Sequence, residues 1–262
     1  HGDPDYYFGL ATLQEAFPQA RIVATAQTVA HIQQTQAGKL AYWGPKMGAD
    51  VPSRIVVPQV LDGDALQLEG QRLPLIGLDG PTPDRTVLWV PSLRAIVGGI
   101  PVVAGEHVWM ADTQTPKSHA DWLQTLQRLQ ALKPKVVVPG HYAPGAELDA
   151  SALRFTADYI RGFDAETAKA KDANALIEAM KQRYPGLADE SSLELGAKVA
   201  KGEMKWGRWQ WRALSTPSVR IARRRPRATL MRSMYARAVN EPCTAFICRT
   251  CVKRHAPVGS PV

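Results

Sequence analysis

His1-Gly2-Asp3-Pro4-Asp5-Tyr6-Tyr7-Phe8-Gly9-Leu10 opens the chain and crowds polar donor atoms ahead of an apolar run. Three potential ligands fall within five residues on a turn that precedes an expected helix. Imidazole suits zinc, and carboxylates suit zinc or harder cations, so His1, Asp3 and Asp5 are able to converge on one ion. A plainer reading is a Gly/Pro/Asp turn that caps the helix beginning near Tyr6, since Asp is a good N-cap. The choice between them depends on what the rest of the chain brings to the same place.

Moving outward, helical and extended patterns alternate, which is the mark of a layered α/β fold. Leu10, Leu13 and Phe17 recur at helical spacing up to Pro18, residues 21–25 read as a short buried strand, and residues 27–36 as the next helix. Tyr42 and Trp43, beside Gly44-Pro45, read as an aromatic loop, packed or forming a substrate wall. Short β runs follow at 55–57, 66–68, 73–76, 87–90 and 95–97, broken by turn residues. Ser118 and Asp121 suggest a capping box for a helix whose apolar face is Trp122, Leu126, Leu129 and Leu132, ending before Pro134. Two or three more helices are expected, around Leu153 to Ile160, Leu176 to Tyr184 and Leu193 to Val199.

The apolar strand Val136-Val137-Val138 delivers Pro139-Gly140-His141 at its end, where α/β proteins tend to place chemistry. A lone His after a buried strand is usually structural, but His141 and the opening turn strengthen each other. Gly77-Leu78-Asp79-Gly80-Pro81 forms another polar turn at a strand end, and His107 lies in Glu106-His107-Val108-Trp109. His31 and His119, on expected helices, read as surface or packing residues.

Taken together, these segments resemble the metallo-β-lactamase superfamily over roughly residues 1 to 145. The family's first signature is His-x-His-x-Asp-His: His1 and Asp5 match, Asp3 stands where the second His belongs, and Tyr6 replaces the last. Pro81 stands where a further His belongs, which leaves Asp79 as the substitute ligand. Gly99 or Ile100 occupies the position of the metal-bridging Asp, so the bridge is absent, and His141 matches the last ligand. The resemblance implies a four-layer αββα sandwich, incomplete at the N-terminus because its first strands would precede His1. Residues 1–148 would be the partial core, 149–205 a helical segment and 206–262 a basic tail.

It also implies a hydrolase that uses metal-activated water on an ester, lactone, amide or related bond of a small molecule. One zinc or other divalent ion would be held by His1, Asp3, Asp5, Asp79 and His141. Asp5 would orient the water, with Tyr6 beside it as a catalytic group, and Tyr6, His107 and Trp109 would line the substrate pocket. The altered ligand set keeps a second reading open, a catalytically silent binding or scaffold protein on the same fold.

Composition narrows the partners. The net charge is +8, yet residues 1–206 carry 20 Lys and Arg against 23 Asp and Glu, and residues 207–262 carry 12 against 1. Basic character therefore belongs to the tail, and such charge attracts phosphate without reading bases, so no specific nucleic acid is expected. No apolar run approaches a membrane span, so a soluble protein is expected, with any secretion signal lying upstream. The tail is read first as non-native, such as a frame-shifted reading, and second as solvated and disordered. Its Cys243, Cys248, Cys251 and His255 match no zinc-module spacing and read as coincidental.

Overall fold

The computed structural model describes residues 1–207. The arginine run at 223–227 and Cys243, Cys248, Cys251 and His255 lie outside the described residues. In chain order the elements are α1 (Pro4–Tyr7), α2 (Leu10–Ala16), β1 (Val23–Ala24), α3 (Ala26–Met47), β2 (Gln59–Val60), β3 (Ala65–Leu68), β4 (Gln71–Ile76), β5 (Val87–Val90) and β6 (Ala95–Val97). There follow β7 (Val103–Ala104), α4 (Pro116–Ala131), β8 (Val136–Val138), β9 (His141–Tyr142), α5 (Ser151–Lys169), α6 (Ala173–Arg183) and α7 (Glu190–Ala200). The expected mixed α/β class is what the chain adopts.

The largest sheet has the order β3-β4-β5-β6-β8. Its pairs are antiparallel until β6 meets β8 in parallel, Ile96 opposite Val137. Those two side chains have no solvent exposure, as expected where a sheet is covered by packed layers. Trp122, Leu126 and Leu129 of α4 and Leu153 and Ile160 of α5 join them in one cluster, which continues through Leu176, Met180 and Leu193. The helices of residues 149–205 thus share a core with the sheet. A smaller cluster of Tyr7, Phe8 and Ile32 holds α1 against α3, and β1 pairs with β2 alone.

Three local expectations are corrected. Helix α3 runs past residue 36 to Met47 and carries Tyr42, Trp43 and Pro45, so the expected aromatic loop is a helical turn. There the packing of Tyr42 and Trp43 against Trp206 outweighs the poor helix propensity of Gly and Pro. Helix α4 is capped one turn earlier than Ser118, by Thr115, whose side chain accepts from the Ser118 N–H while the Ser118 hydroxyl accepts from the Thr115 N–H. Pro116 at the first helical position favours that start. Residues 55–57 form no strand, Ile55 and Val57 packing against the α1–α3 cluster instead. Among the described residues, no helix is long and apolar enough to cross a membrane.

Two glycine turns cross where the sheet ends. Gly98 and Gly99 both have positive φ, 69° and 96°, and the Gly140 N–H donates to the Gly99 carbonyl at 3.1 Å. A Cβ on Gly140 would overlap the Tyr6 hydroxyl and lie 2.7 Å from the Gly99 oxygen. One on Gly99 would lie 2.7 Å from Val87 Cγ1 and 3.2 Å from His1 Nε2. No side chain fits at either position without backbone movement.

Ile160→Ala should cost about 2–5 kcal/mol, lowering the urea midpoint, while Leu93→Ala at an exposed site should stay within about 0.5 kcal/mol of wild type. Gly140→Ala should lower the thermal midpoint clearly, whereas Gly9→Ala, where a Cβ meets nothing within 4 Å, should barely move it.

Candidate active site

The opening turn is held in place from α3. Residues 31, 35, 39, 43 and 47 recur every four positions along this helix and therefore share one face. From that face Lys39 donates to the Gly2 carbonyl at 2.6 Å and sits 3.6 Å from Asp3 Oδ1. Both side chains are nearly excluded from solvent, at 5% and 10% exposure. A charge buried this deeply requires its partner, because removal of one member leaves the other desolvated and unpaired. His31 packs under Gly2, where a Cβ would lie 2.6 Å from its ring, and its Nδ1 is 2.9 Å from Asp84 Oδ2.

Asp5 and His141, 136 residues apart in sequence, meet directly. His141 begins β9, which pairs in parallel with β7, and its Nε2 is 2.7 Å from Asp5 Oδ2. Its Nδ1 faces Glu106 Oε1 at 3.8 Å. The hydrogen bond to Asp5 raises the His141 pKa above its ordinary 6.5, with further help from the charges of Asp5 and Glu106. Burial pushes the Glu106 carboxyl upward.

Asp3, Asp5, Glu106, His107, Trp109 and His141 are among the residues that border a cavity of about 400 Å³. His107 is buried, with Nδ1 2.9 Å from the Tyr159 hydroxyl, and burial lowers its pKa. Trp109 donates its indole N–H to Asp112 Oδ2 at 2.8 Å, and Trp206 donates to Asp112 Oδ1 at 2.7 Å.

The expected ligand set is gathered only in part. Asp79 is corrected: its side chain is 85% exposed and paired with Arg128 at 3.2 Å, pointing out of a turn whose other residues are buried or half-buried. Tyr6 is also corrected as a pocket residue, since it does not border the cavity. Its ring lies between His1, 4.7 Å away between centroids, and His141, 6.2 Å away. Its hydroxyl is buried beside Gly140 without a hydrogen-bond partner, and burial pushes its pKa well up, so it remains protonated. His1 lies behind the cavity wall, where Nε2 accepts from the Ile100 N–H at 3.3 Å and Nδ1 is buried without a partner.

These contacts bear on the expected ion. Among the described residues no three His, Cys, Asp or Glu side chains form a group able to hold a metal. Asp5 is engaged with His141, Asp3 with Lys39, His1 Nε2 with a backbone N–H, and Asp79 with Arg128. The five-residue, single-ion centre expected from the sequence does not fit this arrangement. Gly99, one of the two positions expected to stand in place of the bridging Asp, has no room for a side chain.

Lys39 and Glu106 are site residues beyond those expected from the sequence. The four-residue spacing of His31, Thr35, Lys39, Trp43 and Met47 is the available signal for Lys39, and Glu106 stands next to His107 in plain view. Nothing local marks Asp112 as the acceptor for a tryptophan so distant in sequence.

Two solved structures are similar to this chain. One is a beta-lactamase domain protein from Burkholderia ambifaria, 18% identical, with a TM-score of 0.48, covering 77% of this chain and 65% of its own. The other is the metallo-beta-lactamase family protein TTHA1429 from Thermus thermophilus, also 18% identical, with a TM-score of 0.46, covering 74% of this chain and 68% of its own. The chain therefore spans about two thirds of the length of these proteins. No curated protein matches it. The family model described as "Metallo-beta-lactamase superfamily" matches residues 1–141, from the opening turn to the histidine that meets it, and the chain belongs to that superfamily.

Proposed function

We propose that this protein is a hydrolase of a small ester, lactone, amide or related molecule bound in the cavity beside His141. The superfamily is generally one of metal-dependent hydrolases, usually with divalent metals such as zinc. Because the described donors do not fit an ion, the chemistry they support is proton transfer by the side chains themselves. The observation that carries the reading is the Asp5–His141 contact of 2.7 Å at the cavity wall, with Glu106 on the other side of the imidazole.

The chemistry follows from the two nitrogens of His141. Donation of the Nε2 proton to Asp5 selects one tautomer and leaves the Nδ1 lone pair beside Glu106. In that state Nδ1 takes a proton from water as the water oxygen attacks the carbonyl carbon. The bond to the leaving group then breaks, and its oxygen or nitrogen receives a proton from Glu106 or from the imidazolium. Burial favours the protonated form of Glu106, which suits it to donation. The Asp5 contact has an opposite effect on the base, since the raised pKa keeps His141 protonated to higher pH.

The second reading, a silent binding protein, draws support from the buried Tyr6 hydroxyl and the absence of a three-donor group among the described residues. A panel of esters and lactones assayed with His141→Gln separates the two. The hydrolase reading expects turnover that this variant reduces by about 10²–10⁴-fold; a panel wholly untouched by the wild type, with ligands still bound, supports the silent module instead.

Initial rates should rise with pH through the His141 pKa, above 6.5, and Asp5→Asn should move that rise to lower pH as well as slowing the reaction. Stability has the opposite sense. A histidine whose pKa is raised on folding stabilises the fold fully below its unfolded value, near 6.5, and that contribution disappears as pH climbs through the folded value. The gap in urea midpoint between wild type and Asp5→Asn should accordingly narrow with increasing pH over that window.

A further inference from the structure

We infer that the cavity selects an organic cation with an apolar body, and specifically a weakly hydrated one such as a quaternary ammonium. The inference deepens the hydrolase reading, since it rests on the same cavity being the substrate pocket, and it names the ligand class. Three indoles supply the wall. Trp43, Trp109 and Trp206 all border the cavity, with ring centroids 5.5 Å apart for Trp109 and Trp206 and 6.3 Å for Trp43 against each of the others. Aromatic faces attract cations through their quadrupole, most strongly for tryptophan and most where water is excluded.

Asp112 sharpens that preference. Each of its oxygens accepts an indole N–H, from Trp109 and from Trp206, and donation to an anion leaves a ring more electron-rich on its faces. The two donors are neutral, so the carboxylate charge stays uncompensated by any Lys, Arg or His ion pair among the described residues.

The other charges on the wall do not reverse the sign. Asp189 is held by the hydroxyls of Ser191 and Ser192, again neutral donors. Lys39, the one ammonium bordering the cavity among the described residues, is spoken for by Asp3 and the Gly2 carbonyl. Against it and any charge on His107 and His141 stand Asp3, Asp5, Asp112 and Asp189. With each Asp112 oxygen already accepting an indole N–H, a primary ammonium beside the indoles would recover only part of the hydrogen bonding it loses with its water. A quaternary ammonium has no N–H to satisfy and keeps the Coulombic gain.

The test is titration of the full chain, followed by calorimetry and tryptophan fluorescence, with choline, its neutral isostere 3,3-dimethylbutanol, and the anion 3,3-dimethylbutanoate. Choline is expected to saturate with an affinity about tenfold above the isostere and further above the anion. Asp112→Asn should remove most of that advantage, and Trp43→Leu, which leaves both indole–carboxylate bonds intact, should weaken choline more than the isostere. Equal or tighter binding of the neutral or anionic probe, or no saturable choline binding, overturns the inference. Since binding is read without turnover, a failed hydrolysis panel leaves this result interpretable, and a failed choline titration leaves the hydrolase reading standing.

Discussion

The crossing of the Gly98–Gly99 and Pro139–Gly140 turns is the constraint on which the site depends. Backbone approaches backbone there with no space for a Cβ, and the Gly140 N–H to Gly99 carbonyl bond fixes the separation. This closeness seats Tyr6 against Gly140, places the Ile100 N–H at His1 Nε2, and sets His141 at the head of β9 within reach of Asp5. The parallel pairing of β6 with β8 brings both turns to the same end of the sheet. Fold and site are therefore consequences of one steric fact.

The polar groups of the site find one another. A carboxylate beside a buried ammonium, and another beside an imidazole, are each satisfied without an external cation. What remains open to the cavity is an imidazole nitrogen near a half-buried carboxyl, and a wall of indoles. In the proposed hydrolase the first would transfer protons and the second would recognise the ligand, and both border the same cavity.

Much of this is readable from residues alone. Asp5 and His141 belong together because a turn after Val136-Val137-Val138 and a turn before a helix are both natural ends of α/β layers, and the strands from Ala65 to Val97 fall where apolar alternation puts them. Asp79 misleads because a polar turn at a strand end does not reveal which way its side chains point. Lys39 escapes notice because lysine on a helix normally faces water, and its burial depends on the Gly2 carbonyl and Asp3, 37 and 36 residues away in sequence. The motif position of Tyr6 suggests a catalytic task, whereas packing against Gly140 decides where its hydroxyl goes. The residues that escape are those whose role is set by a distant partner rather than by local pattern.

Asp112 serves two segments of chain at once, Trp109 in the loop before α4 and Trp206 beyond α7, 94 positions away. Its carboxylate works as a latch with two catches. Because both indoles draw on the same pair of oxygens, neither wall can swing without loosening its counterpart, and the geometry of the pocket is tied mechanically to the docking of the last helix. Evolution of a differently shaped pocket would then have to alter the two segments together.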